Sequence, residues 1–291
     1  MKNQQLSVCQ AADRNVQKPG FEVPAKACDT HAHVFGPQHL YGYTSNRTYT
    51  PPNALLSEYL ALHHSLCIER GVLVQPSVYG TDNQAMTDAL EQLEGRYRGV
   101  AVVDSDVDEQ ELQRLHQVGV RALRVNLLFK GGICFAEVEK IASRIKPLGW
   151  HIELLIDVSE FDGLYERLSS LPVDVVIDHM GHMSTERGIG NSGFQALMNL
   201  LETGRCWVKL SGAYRITIET ETPYEDVLLI ARTLIEKAPE RMVWGSDWPH
   251  PFVQITMPKD GALLDMLADW VPDSELRRKI LVTNPAQLYD F

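Results

Sequence analysis

The chain has 291 residues, 44% of them hydrophobic and 22% charged, which excludes a disordered or fibrous class and suits a sizeable core. A formal net charge of -11 excludes a nucleic-acid footprint, so any anionic ligand has to be met by a local cationic pocket. The five cysteines (Cys9, Cys28, Cys67, Cys134 and Cys206) are scattered without a CxxC pair, the polar N-terminus lacks a signal-peptide core, and no apolar run approaches the roughly 18 residues of a membrane span, which together predict a cytoplasmic protein.

A polar arm over residues 1–26 comes first. Short β-rich runs then predict strands at 27–34, 71–75, 99–104, 122–128, 151–157, 174–179, 206–212 and 242–247. Between them, apolar residues at three- and four-residue intervals predict helices at 53–69, 83–94, 108–117, 136–145, 161–169, 193–202 and 224–237. Runs such as Val100-Ala101-Val102-Val103 are apolar throughout rather than alternating, as in parallel strands covered on both faces. Alternating strands and helices fit a closed barrel or an open doubly wound sheet. The open sheet would usually carry G-x-G-x-x-G after its first strand, whereas here that strand runs into His33-Val34-Phe35-Gly36-Pro37. The expected fold is therefore α/β, a single (β/α)8 TIM-type barrel over 27–291 behind the short arm, with the loop 36–52 long enough to serve as a lid.

Barrel enzymes build their sites at the C-terminal ends of the strands. Polar residues stand at those ends here: His31 and His33, then Ser77, Asp104, Arg124 and Asn126, Asp157, Asp178 and His179, Lys209 and Ser211, and Asp247. His31 and His33 lie two apart on a strand and share a face, so both reach one substrate or one metal. Two imidazoles can hold a divalent ion, donate to a carbonyl oxygen or relay protons, and the pair alone does not choose among these. Asp247, in Gly245-Ser246-Asp247-Trp248, is the candidate general base, and enclosure by tryptophans is expected to raise its pKa. Arg124, Lys130 and Arg215 aim cations at the same mouth of an acidic protein, which suits a substrate carrying carboxylates.

The stretches DTHAHVFGP (29–37), GTDN (80–83), VAVVD (100–104), VIDHMG (176–181), VWGSDWPHP (243–251) and LVTNP (281–285) resemble the amidohydrolase superfamily, and within it the 2-pyrone-4,6-dicarboxylate lactonases. The resemblance implies hydrolysis of a cyclic ester by a water that Asp247 deprotonates, with His31, His33 and His179 around the reacting carbonyl. It implies Arg124 and Arg215 on substrate carboxylates, with Tyr49 and Ser77 as further hydrogen-bond donors. Lys130 stands where those lactonases carry a second arginine and Leu155 where they carry a tyrosine, so one carboxylate pocket is altered and a related lactone is implied as readily as the pyrone itself. Many superfamily members hold one or two divalent metals. This chain has no histidine at the end of its fifth strand and Arg124 in place of a bridging lysine, and the lactonases it resembles work without metal, so no cofactor is expected. A single zinc on the three histidines and Asp247, in a metal-dependent decarboxylase, is the alternative enzyme; a sugar-acid lactone is the alternative substrate, and a barrel that only binds is the third possibility.

Overall fold

The computed structural model describes residues 7–93, 95–128 and 135–291. Among these, eight parallel strands form one sheet: β1 Cys28–Ala32, β2 Arg70–Val74, β3 Tyr97–Ala101, β4 Val120–Asn126, β5 His151–Leu155, β6 Val175–Ile177, β7 Cys206–Leu210 and β8 Met242–Trp244. Each strand pairs with its sequence neighbour. The ring is completed where β1 meets the end of β8. Ala32 bridges Trp248, the His33 amide donates to the Trp248 carbonyl at 2.7 Å, and the Asp247 amide donates to the His31 carbonyl at 2.8 Å.

The main helices outside the barrel are α1 Leu56–Leu66, α2 Gln84–Glu91, α3 Glu109–Gln117, α4 Phe135–Ile145, α5 Leu164–Ser169, α6 Ser192–Glu202, α7 Leu228–Lys237 and α8 Asp260–Trp270, with shorter ones at Ala213–Ile216, Ser274–Arg278 and Asn284–Tyr289. α6 shows why such segments form: the Asn191 side chain accepts from the Gly193 and Phe194 amides, and Phe194, Leu197, Leu200 and Leu201 make one buried face. α8 was not among the helices expected from the sequence; it lies beyond a long loop, and its buried Leu263, Leu264, Leu267 and Trp270 follow the same periodicity. No described helix is long and apolar enough to cross a membrane.

The third strand starts and ends earlier than its apolar run suggests. Past Ala101 the Asn83 side chain takes over, accepting from the Val102 amide at 3.0 Å and donating to the Val102 carbonyl at 2.8 Å. Asp104 is exposed and is not among the residues lining the cavity described below. In the N-terminal arm, Arg14 pairs with Glu58 and the Gly20 amide donates to Asp265 at 2.6 Å. The loop expected as a lid is pinned where Phe35 and Ala54 exchange backbone hydrogen bonds of 2.8 Å, and its Thr44 amide donates to Val78 at 2.8 Å. It carries Tyr49 to the mouth, stacked on Phe252 with ring centroids 5.7 Å apart.

A buried carboxylate holds the seam between β1 and β8. Asp29 accepts from the His31 amide at 3.1 Å, the Ser246 amide at 2.8 Å, the Ser246 hydroxyl at 2.5 Å and the Tyr59 hydroxyl at 3.1 Å. Thr30 adds a bond from its hydroxyl to the Trp244 carbonyl at 2.8 Å. Gly245 permits this approach, since a Cβ there would lie 2.7 Å from the His31 Cβ and 2.9 Å from its amide nitrogen. Gly245→Ala should therefore lower stability by about 1–3 kcal/mol, the usual cost of overpacking. Urea unfolding checks this, and a midpoint equal to the parent's would show that the seam tolerates the methyl group.

Candidate active site

Asp247 sits just past β8 with φ of 63°, a left-handed conformation that a non-glycine residue holds at some cost and that recurs at functional sites. Its two oxygens face different surroundings. Oδ2 accepts from the Tyr214 hydroxyl and from Arg215 Nε, each at 2.6 Å, and lies 3.7 Å from His179 Nε2. Oδ1 has no hydrogen-bond partner among the described residues and lies 3.6 Å from His33 Nε2 and 3.8 Å from His31 Nε2. The carboxylate and the three imidazoles are all buried.

The pKa of Asp247 moves opposite to the sequence expectation. Burial pushes it up, but the Arg215 guanidinium, which donates to Oδ2, is the largest opposing influence, and the carboxyl is held well below its ordinary value. Among the described residues no tryptophan lines the cavity at Asp247, and Arg215, in the short helix Ala213–Ile216 after β7, decides the sign. Burial also drives His31, His33 and His179 below the ordinary imidazole value, so the three rings are neutral near pH 7. Tyr214, pushed well above its ordinary value mainly by burial, stays a donor.

The histidines are not equivalent. His33 Nδ1 lies 2.7 Å from the Val74 carbonyl, which can only accept, so Nδ1 carries the proton and Nε2 presents a lone pair. His31 Nδ1 lies 3.0 Å from Lys209 Nζ, which can only donate, so His31 has the reverse arrangement. His179 Nδ1 meets the Ser211 hydroxyl at 2.9 Å, a partner able to donate or accept.

A narrow cavity opens over this centre, and the residues expected for substrate binding line it: Tyr49, Ser77, Arg124 and Arg215. Arg124 is buried on β4, donating from Nη1 to the Gln75 carbonyl at 3.0 Å and reaching Asp178 with Nη2 at 3.8 Å, while its Nε has no partner among the described residues. Arg215 also donates to the Pro251 carbonyl at 3.1 Å, so in this state it braces Asp247 as well as facing the cavity. Lys130 lies outside the described residues. Leu155 lines the wall, presenting a hydrocarbon face. His182 and Tyr214 are not singled out by the motifs; the available signals are the H-x-x-H spacing from His179 and the position of Tyr214 beside Arg215. Of the other polar strand-end residues, Asp157 lies on the neighbouring vestibule wall with His182 and Gln254.

The metal-binding alternative can be tested on the donors. The ligand atoms of His31, His33 and Asp247 lie within 4.8 Å of one another, as do those of His31, Asp178 and His179. A metal-bound imidazole turns its other ring N–H toward an acceptor, as His33 does toward Val74. His31 instead turns that nitrogen toward the ammonium of Lys209, which leaves Nε2 protonated rather than free to ligate. His31 Nε2 therefore does not fit as a ligand beside His33 and Asp247, and its Nδ1, which faces Asp178, has its lone pair taken up by Lys209.

The chain belongs to the amidohydrolase family, whose model matches residues 28–291. It is 37% identical over 286 residues to a 2-pyrone-4,6-dicarboxylate hydrolase of Comamonas testosteroni, covering 94% of this chain and 93% of that one. It is likewise 37% identical over 288 residues to a 4-sulfomuconolactone hydrolase of Hydrogenophaga intermedia, covering 97% and 94%. A crystal structure of a probable 2-pyrone-4,6-dicarboxylic acid hydrolase from Acinetobacter baumannii with citric acid bound superposes with a TM-score of 0.81 at 30% identity, covering 91% of this chain and all of that one.

The balance at Asp247 has a measurable consequence. A carboxylate with a depressed pKa stays ionised as pH falls through the ordinary carboxylate range, so a reaction that needs it ionised keeps its rate there. Replacing Arg215 with Met removes the largest lowering influence and leaves burial less opposed, which should move the acid limb of kcat/KM to higher pH. A pH profile with an unmoved acid limb would remove Arg215 from that role.

Proposed function

We propose that the protein is a lactonase that opens a carboxylate-bearing cyclic ester with a water activated by Asp247, without a metal cofactor. The observation that carries this reading is the division of labour around Asp247: a free carboxylate oxygen beside the His33 lone pair, with the His31 N–H close by. Asp247 Oδ1 and His33 Nε2 are both acceptors and suit a water that donates to each. That water attacks the lactone carbonyl carbon and its proton passes to Asp247. The oxyanion that develops on the carbonyl oxygen is met by His31 Nε2–H, the kind of preorganised donor that contributes most in acyl transfer. Collapse breaks the bond from the ring oxygen to the carbonyl carbon, and the proton held by Asp247 goes to the departing oxygen. The product is the open-chain acid.

Arg124 and Arg215 are proposed to receive the substrate carboxylate or another anionic group, with Tyr49 and Ser77 as neutral donors beside them. A substrate anion drawn to Arg215 competes with Asp247 for that guanidinium. The loosened pair raises the affinity of Asp247 for a proton at the moment the base is needed. Leu155 cannot donate a hydrogen bond, so a lactone related to the pyrone dicarboxylate fits this wall better than the dicarboxylate itself. The two named relatives act on anionic lactones, and the citrate in the solved neighbour is a carboxylate ligand. The described cysteines are free thiols, in keeping with a cytoplasmic setting.

A panel of mono- and dicarboxylate lactones, followed by ring opening, identifies the substrate. With it, Asp247→Asn should lose about 10²–10⁴-fold in kcat, the usual contribution of a positioned base, with a much smaller change in KM. Hydrolysis at the parent rate in that variant, or no turnover of any lactone by the parent, would overturn the proposal.

A further inference from the structure

The barrel interior holds charge where such barrels usually hold layers of apolar side chains. Lys209 on β7, Glu153 on β5, Asp178 just past β6 and His31 on β1 meet there with fully buried side chains. Lys209 Nζ donates to Glu153 Oε2 at 2.6 Å and to His31 Nδ1 at 3.0 Å, and it lies 3.5 Å from Asp178 Oδ1. Three N–H groups thus face three acceptors. Glu153 is braced in turn by the Tyr289 hydroxyl at 2.6 Å, near the C-terminus, and by His151 Nε2 at 3.5 Å. An unpaired ammonium would be very costly at this depth, and the two carboxylates compensate its charge.

We propose that Lys209 is a positioning residue for the reaction, fixing the proton of His31 on Nε2 and so making His31 an obligatory hydrogen-bond donor toward the site. An ammonium has no lone pair to offer, and at 3.0 Å an N–H on His31 Nδ1 would point into it. The competing arrangement, Nδ1–H donating to Asp178 Oδ1 at 3.4 Å, is blocked for that reason. A neutral imidazole with Nδ1 accepting must carry its proton on Nε2. That nitrogen has no hydrogen-bond partner among the described residues and faces Asp247. Lys209 touches neither water nor substrate in this scheme and acts only through His31. Without it, the proton moves to Nδ1 and Asp178, and Nε2 turns a lone pair toward the developing oxyanion.

The catalytic consequence rests on the lactonase reading, whereas the tautomer does not, and the two are measured separately. In protein labelled with ¹⁵N-histidine, with His31→Gln used to assign the ring, the parent should show His31 with an unprotonated Nδ1 and a protonated Nε2. Lys209→Met should reverse this pattern and lower kcat by about 10²–10³-fold, the loss typical of one oxyanion donor, with KM nearly unchanged. Lys209→Arg, which keeps a donor, should retain the parent tautomer. A protonated Nδ1 in the parent spectrum would overturn the proposal without any variant having to fold, and would leave the lactonase reading standing. A folded Lys209→Met protein with the parent tautomer would also overturn it. Failure of the parent to open any lactone would strike the functional reading and leave the tautomer result intact.

Discussion

The site depends on how the barrel closes. Strands β1 and β8 lie at opposite ends of the chain, and Asp29 stitches them through the Ser246 amide and hydroxyl. The backbone bonds from Asp247 to His31 and from His33 to Trp248 continue the same seam into the mouth. The two histidines and the carboxylate they face are thus set by strand pairing, with little freedom left to side-chain rotation. Asp29 is a structural clasp, and its presence beside H-x-H reflects the need to close the ring as much as the chemistry at the ring's end. The left-handed backbone of Asp247 is held in place by these bonds on either side of it.

With the seam closed, electrostatics assigns different tasks to similar groups. Asp178 and Asp247 are both buried carboxylates past strand ends, but the first faces Lys209 and Arg124 inside the barrel while the second faces Arg215, Tyr214 and the imidazoles at the mouth. His31 and His33 share a strand and a face, yet one meets an ammonium and the other a carbonyl behind the ring. Three imidazoles and a carboxylate could be taken for a metal site. Here the hydrogen bonds behind the rings make one imidazole a donor and the other an acceptor, as the proposed water activation requires.

Much of this was legible in the sequence, because strand period, helix period and polar strand ends are local signals. The order of elements and the assembly of His31, His33, His179, Arg124, Arg215 and Asp247 at one mouth follow from them. What was not legible depends on partners distant in the chain. The sign of the Asp247 pKa shift is set by Arg215, about thirty residues away in the short helix after β7. Asn83 ends the third strand early, and Asp104 beyond it does not line the cavity. Glu153 and Lys209 carried a usable signal, since two opposite charges inside two otherwise buried strands need each other. The brace from Tyr289 had none, because nothing local says where the chain's last turn will dock.

On the proposed mechanism, protein hydrogen bonds, with the imidazoles as donor and acceptor, supply the polarisation that a metal supplies elsewhere in such barrels. Metal content and turnover measured together, after exhaustive dialysis against a chelator, test it most directly. Lactone hydrolysis should continue at an unchanged kcat with far less than one metal ion per chain. Loss of activity on chelation, restored by stoichiometric zinc, would contradict it.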